Sequence, residues 1–148
     1  MEREFPKVPI AGIGAVVLHQ GRVLLVRRAN PPMQGRWTLP GGAVELGESL
    51  KDCVIREIRE ETDLLVEPLE IVEVVDRIDR ENGRIRFHYI IADFLCSLVS
   101  GSLQAGSDAS GALWAAPSDF ESLNLDPLSR QVIAKAFRLQ AARLQDPT

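Results

Sequence analysis

The sequence has few cysteines and no long apolar run. Its 148 residues include only two cysteines, Cys53 and Cys96, which lie far apart and lack the spacing of metal ligands. We expect both thiols to be reduced and buried. No hydrophobic run approaches the roughly 20 residues that a membrane-spanning helix needs, and the first ten residues lack the apolar segment of a signal peptide. These absences predict a cytoplasmic protein without a membrane partner.

The sequence also has fewer basic than acidic residues. The chain has 17 lysines and arginines against 21 aspartates and glutamates, which gives a net charge of −4. A protein that binds nucleic acid without sequence preference presents a basic face, so we expect no nucleic-acid partner. The composition still permits a small phosphorylated substrate, provided that a cation or a local arginine cluster meets its charge.

Two β-hairpins are predicted from apolar runs that flank short turn sequences. The first spans residues 12–28 and turns at Gln20-Gly21, and the second turns at residues 81–83 between strands at 69–79 and 84–99. Between the hairpins, Ser49 is predicted to cap a helix that ends near Thr62. Asp126 and the proline after it are predicted to open a last helix. We therefore predict one domain over residues 1–148, with a mixed sheet and two main helices in an α+β or α/β arrangement.

The first helix carries an unusual group of glutamates. On a helical wheel, Glu57 and Glu61 fall within the arc of apolar side chains, and Glu60 falls at its border. A buried carboxylate costs several kcal/mol unless it is paired, protonated or bound to a metal. Arg56 and Arg59 lie about 100° or more away on the wheel, so we expect that neither serves both inward-facing glutamates. The wheel alone leaves ion pairing and a metal site as open alternatives.

The segment before this helix favours the metal. Pro40-Gly41-Gly42 places unhindered backbone beside the helix start, where carbonyl groups can reach a cation. Glu48 adds a fourth carboxylate to the same region. An environment made entirely of oxygen ligands suits Mg²⁺ or Mn²⁺ and not zinc.

The spacing of these residues resembles the Nudix box, G-x5-E-x7-R-E-U-x-E-E-x-G-U, where U is apolar. Eight of its nine defined positions agree, and they fall between residues 42 and 64: Gly42, Glu48, Arg56, Glu57, Ile58, Glu60, Glu61 and Leu64. The preceding WTLPGG also looks like the usual lead-in of Nudix hydrolases. The resemblance implies an α/β/α sandwich in which a central mixed sheet packs against the box helix and a C-terminal helix.

The same resemblance implies a role for each matching residue. The metal ligands would be Glu57, Glu61, Glu60, Glu48 and the backbone carbonyl of Gly41. Glu60 is alternatively the catalytic base, and Arg56 would orient Glu57 or Glu48. The cofactor would be Mg²⁺, with Mn²⁺ as an alternative.

One position departs from the family pattern. The final glycine of the box is Asp63 here. Because this position follows the helix, we expect a left-handed backbone there, which aspartate tolerates at a cost of roughly 1 kcal/mol. The departure concerns backbone geometry and not a metal ligand.

Substrate-binding candidates lie outside the box. Arg27 and Arg28 end the second strand of the first hairpin, and Arg36 precedes the box, so each is a candidate for binding phosphate. Asp108 lies in a polar loop where relatives similar to ADP-ribose hydrolases keep an extra carboxylate. In many of those relatives a glutamate stands at the place of Gly111.

The resemblance implies a Mg²⁺-dependent enzyme that hydrolyses a pyrophosphate bond in a nucleoside diphosphate linked to another moiety. We expect an ADP-ribose-like nucleotide sugar, and the alternatives are a (d)NTP pyrophosphohydrolase of the sanitising type and a Nudix-fold regulator that binds nucleotides without hydrolysis. A monomer and a homodimer are both consistent with the sequence. Apolar residues near Leu95–Val99 and in the last helix would serve a dimer.

Overall fold

The computed structural model of the chain describes residues 3–103 and 109–145. Within these residues the elements follow in the order β1 (Ile10–His19), β2 (Arg22–Arg28), β3 (Trp37–Thr38), β4 (Gly41–Ala43), α1 (Leu50–Thr62), β5 (Leu65–Glu81), β6 (Arg84–Ser100), β7 (Ala109–Ala115) and α2 (Pro127–Gln145). Asp108 therefore lies outside the described residues.

The strands form one mixed sheet. Its main path is β3-β2-β1-β6-β5, while β4 pairs with the first half of β1 and β7 pairs with β2. β1 and β6 run parallel, and the other pairings are antiparallel. The prediction of an α+β fold with a mixed sheet is confirmed.

Both predicted hairpin turns are present. Gln20 and Gly21 have φ values of 52° and 76°, and Asn82 and Gly83 have values of 52° and 77°. Two successive left-handed residues match the right-handed twist of the strands on either side. The second hairpin is longer than predicted, because β5 begins at Leu65 and tolerates several register shifts, including one near Pro68.

The helices cover opposite faces of the sheet. Alternate residues of β1 point to opposite sides: Ala15 and Val17 pack in the cluster that includes α1, while Val16 and Leu18 pack in the cluster that includes α2. Because both faces are covered, β6 is buried without interruption over residues 92–96.

The burial of individual side chains bears on the two cysteines and on the apolar residues predicted to serve a dimer. Cys53 and Cys96 are buried and not joined in a disulfide, as predicted. Leu95 and Cys96 belong to the core and are not available to a dimer interface, whereas Val99 and Leu144 are exposed. In the part of the chain that the structure describes, neither helix is both long and apolar enough to cross a bilayer.

Both helices begin as predicted. The Ser49 hydroxyl accepts a hydrogen bond from the Asp52 amide at 3.1 Å, which caps α1. Asp63 ends α1 with φ 61° and ψ 20°, the left-handed conformation expected there. Asp126 caps α2 and accepts from the Ser129 amide at 3.2 Å.

Candidate active site

β4 brings two glycines against the side of α1. The Gly41 amide donates a hydrogen bond to Glu61 Oε1 at 3.2 Å. A Cβ atom on Gly42 would overlap the Glu57 carboxylate, and one on Gly41 would overlap the backbone of Ile13 on β1. The absence of side chains on β4 therefore allows the strand, the helix and the carboxylates to meet.

The glutamates of α1 take the positions that the helical wheel predicts. Glu57 and Glu61 are 8% and 6% exposed, although both are acidic. Glu60 stands at the edge of the group with half of its side chain exposed. The helix therefore presents two buried carboxylates and one accessible carboxylate to the same region.

Arg56 joins three of the carboxylates. Its Nε and Nη2 atoms donate to the two oxygens of Glu48 at 2.6 and 2.9 Å. Its Nη1 atom donates to Glu57 at 2.8 Å and to Glu60 at 3.3 Å. These contacts agree with the expectation that neither arginine serves both inward-facing glutamates, because of these two Arg56 forms an ion pair with Glu57 only. Glu61 lacks an ion pair with any described residue.

These contacts and the burial change the pKa values of the cluster. Hydrogen bonds from Arg56 lower the pKa of Glu48 to about 2. Burial raises the pKa of Glu57 in spite of its contact with Arg56. Burial, together with the nearby charge of Glu57, raises the pKa of Glu61 to about 8. Without a cation, Glu61 is therefore largely protonated at neutral pH.

The donors of this cluster fit a hard divalent cation. The side chains of Glu57, Glu60 and Glu61 and the Gly41 carbonyl offer oxygen atoms only. Glu61 accepts from the Gly41 amide and contacts the Glu57 carboxyl group. Among the described residues, no three acidic, histidine or cysteine side chains already surround one point. Glu57 and Glu60 each direct one oxygen toward Arg56.

A cavity of about 870 Å³ opens beside the cluster. It crosses the sheet from β4, over β1 and β6, to β5. The acidic side is lined by Gly41, Gly42, Glu57, Glu60 and Glu61, and the side formed by β5, β6 and α2 is lined by Arg77, Phe87, Tyr89, Asp93 and Ser129.

The structure separates the predicted substrate-binding arginines. Within the described residues, the cavity wall includes Arg28 but neither Arg27 nor Arg36. Arg27 donates to the Gly35 carbonyl, and Arg36 donates to the Asn124 carbonyl. Glu48 also lies outside the wall, behind Arg56.

Sequence reasoning did not identify the polar residues on the far side of the cavity. Asp93 interrupts the apolar run IIADFLC of β6, and an acidic residue within a core strand was the available signal. Arg77 gave no comparable signal, because charged residues are common on a long strand. Its partners, Asp126 at 3.1 Å and Ser129 at 3.2 Å, lie far away in sequence.

Comparisons with known proteins identify a family. The family profile of the NUDIX domain matches residues 8–136. An ADP-ribose pyrophosphatase of Methanocaldococcus jannaschii is 36% identical over 104 residues, which cover 70% of this chain and 60% of that protein. This chain thus spans less than two-thirds of the length of that relative.

Solved structures share the fold. A MutT NUDIX hydrolase from Burkholderia pseudomallei superposes with a TM-score of 0.76 at 31% identity, covering 87% of this chain and 98% of that one. The NUDIX domain of NrtR from Shewanella oneidensis, solved with ADP ribose, superposes with a TM-score of 0.73 at 25% identity, covering 91% and 90%. Because the NUDIX profile matches residues 8–136, which is most of the chain, the chain belongs to the Nudix hydrolase family.

Proposed function

We propose that this chain hydrolyses the pyrophosphate bond of a nucleoside diphosphate linked to another moiety, with Mg²⁺ as the cation and an ADP-ribose-like nucleotide sugar as the preferred substrate. The observation that carries the proposal is the pair of buried carboxylates, Glu57 and Glu61, held against the glycines of β4. Burying two ionised carboxylates side by side is costly unless positive charge neutralises both. Arg56 supplies that charge for Glu57, and a cation would supply it for Glu61.

The roles of the residues follow from their contacts. Glu57, Glu61, Glu60 and the Gly41 carbonyl would hold the cation, which when bound neutralises charge on the phosphate oxygens. Arg56 fixes the orientation of Glu57 through its anchor on Glu48. Glu60 is the exposed member of the cluster, and as the alternative to binding the cation it would accept a proton from the attacking water.

Of the three arginines predicted to bind phosphate, Arg28 is the one that lines the cavity. Its Nε atom donates to the Pro32 carbonyl at 2.7 Å. It forms no ion pair with a described residue, so its charge is not neutralised locally, in contrast to Arg56. Phosphate oxygens would supply the missing acceptors.

Support for the substrate class comes from the relatives. The archaeal relative is named an ADP-ribose pyrophosphatase, and the NrtR domain was solved with ADP ribose. The Burkholderia structure is named only a MutT NUDIX hydrolase, without a substrate, and hydrolysis of a (d)NTP stays the second candidate. Specificity in such folds lies in the cavity walls and not in the box.

Turnover of a substrate panel tests the proposal. ADP-ribose, NADH, diadenosine polyphosphates and the (d)NTPs are incubated with and without Mg²⁺, and the products are separated by chromatography. We expect Mg²⁺-dependent conversion of ADP-ribose to AMP and ribose phosphate. Glu61→Gln should abolish it, while Glu67→Gln, at an exposed glutamate of β5, should leave it unchanged.

The other outcomes separate the alternatives. Monophosphate and pyrophosphate from a triphosphate would keep the chemistry and replace the substrate class. Binding of ADP-ribose without turnover of any compound would overturn hydrolysis in favour of a binding module.

A further inference from the structure

We propose that Asp93 recognises the base of the substrate by accepting a hydrogen bond from the exocyclic amino group of adenine, held between β6 and α2. This inference rests on the proposed function and assigns the part of the substrate that lies farthest from the carboxylate cluster. It concerns a residue outside the Nudix box.

Asp93 is a buried acid that faces the cavity. It lies in the middle of β6, is only 5% exposed and lines the cavity wall. Its carboxylate packs against Gly14 of β1, where a Cβ atom would overlap Oδ1. The glycine thus makes room for the acid at the floor of the cavity.

The protein does not satisfy this carboxyl group. Among the described residues, no donor forms a hydrogen bond to its side chain. Arg77 is the cation that acts on Asp93, but its guanidinium is engaged by Asp126 and Ser129. A buried polar group without a partner is destabilising, and a donor on a ligand would remove that penalty.

The surroundings of Asp93 suit a flat heterocycle. Phe87 and Tyr89, on the same face of β6, stack with their ring centroids 6.4 Å apart and their planes at 19°. Aliphatic side chains make up much of the remaining wall here: Val75, Ile91, Leu128 and Val132. Two other polar side chains of this part, Arg77 and Ser129, already bond to Asp126. A largely apolar slot in which Asp93 is the polar group left without a partner suits a purine better than a sugar, because sugar hydroxyls need several partners.

The position relative to the carboxylate cluster suits a nucleotide. Gly14 pairs with Asp93 on one side and with Gly41 on the other. Asp93 therefore lies two strand spacings, about 10 Å, from the strand that touches Glu61. A nucleotide with its phosphates at the cluster can extend across β1 and place its base over β6.

Burial raises the pKa of Asp93 to about 7. Either protonation state can accept a hydrogen bond from an amino group. The protonated form can also donate to the ring nitrogen beside that group. Adenine offers both partners on one edge.

Equilibrium binding tests the inference without turnover. AMP and purine riboside 5′-monophosphate, which differ only in the amino group, are titrated into the protein without a divalent cation and followed by NMR. We expect the wild type to bind AMP about tenfold more tightly. Asp93→Leu, which fills the same space without an acceptor, should bring this ratio close to one, and Asp93→Asn should retain much of it.

Two controls keep the result specific. Asp76→Asn changes an exposed aspartate on the opposite face of β5 and should leave the ratio unchanged. Thermal unfolding verifies that each variant folds, and Asp93→Ala replaces Asp93→Leu if the leucine variant does not.

A wild type that does not distinguish the two nucleotides, or a ratio that survives Asp93→Leu, would overturn the inference. Either result would leave pyrophosphate hydrolysis standing. Conversely, failure of hydrolysis would leave this binding test intact, because the test uses neither cation nor turnover.

Discussion

At the scale of single residues, the site depends on missing side chains as much as on charged ones. Gly42 leaves the space that the Glu57 carboxylate fills. The sequence was sufficient to predict that Glu57 and Glu61 face inward, because residue spacing fixes their directions on a helix. The family resemblance implied that Arg56 orients Glu57 or Glu48 but left the choice open, and Arg56 contacts both. The path of a long side chain depends on where the fold places its partners.

Glu61 makes the stability of the metal-free protein depend on pH. Its pKa is raised from 4.5 to about 8 in the folded state. Between these values the folded protein binds more protons than the unfolded chain, so the free energy of unfolding falls as pH rises. We expect a fall on the order of a few kcal/mol between pH 5 and pH 8.5 in the presence of EDTA, measured by urea unfolding.

The glutamine of Glu61→Gln has no titratable group, so the free energy of unfolding of this variant should fall less steeply as pH rises. Glu67→Gln, at an exposed site, should follow the wild-type curve. Glu57 and Asp93, whose pKa values are also raised, keep part of the dependence of the free energy of unfolding on pH in every variant. Equal slopes for wild type and Glu61→Gln would contradict a buried, protonated Glu61.

At the scale of elements, local signals predicted the turns and caps well. Asn82-Gly83 and Ser49 act through their own backbone and side-chain chemistry, which a short sequence window contains. The length of β5 was not predicted, because pairing with β6 carries it past Pro68 through register shifts. Strand length here is a property of the partner strand as well as of the sequence.

Asp63 offers a test at the end of α1. It holds a left-handed conformation that glycine adopts without steric cost. Its ion pair with Arg59, at 3.5 Å between exposed side chains, contributes little. We expect Asp63→Gly to raise the free energy of unfolding by up to about 1 kcal/mol, measured by urea unfolding, with catalytic turnover unchanged.

Asp52→Gly is the matched control inside the same helix. It replaces an aspartate in the first turn and should lower the free energy of unfolding, because glycine disfavours helical backbone. A stability loss in both variants would show that Asp63 contributes more than a tolerated backbone conformation.

At the scale of the whole molecule, the cavity is assembled from strands that are remote in sequence. The parallel pairing of β1 with β6 places Gly14 beside Asp93. No local pattern specifies this pairing, because periodicity identifies strands but not their partners. The residues of the box could therefore be predicted from the sequence, whereas the cavity wall formed by β5, β6 and α2 could not.

Binding of a cation should stabilise the whole domain. A cation that binds the folded state alone raises the free energy of unfolding by about 2.7 kcal/mol at 100 times its dissociation constant. We expect MgCl₂ to raise the thermal midpoint by several degrees, as measured by circular dichroism. NaCl at equal ionic strength should not reproduce the shift, and Glu61→Gln should lose most of it. A full shift in that variant would place the cation elsewhere.

The distribution of the cavity wall over separate elements bears on how such a protein diversifies. The carboxylates and their arginine lie on α1 and the loop before it, whereas Arg77, Asp93 and Ser129 lie on β5, β6 and α2. Among the described residues, no hydrogen bond or ion pair joins these two groups. Substitutions in the wall formed by β5, β6 and α2 can therefore change which ligand binds, while the wall that carries the carboxylates stays unchanged.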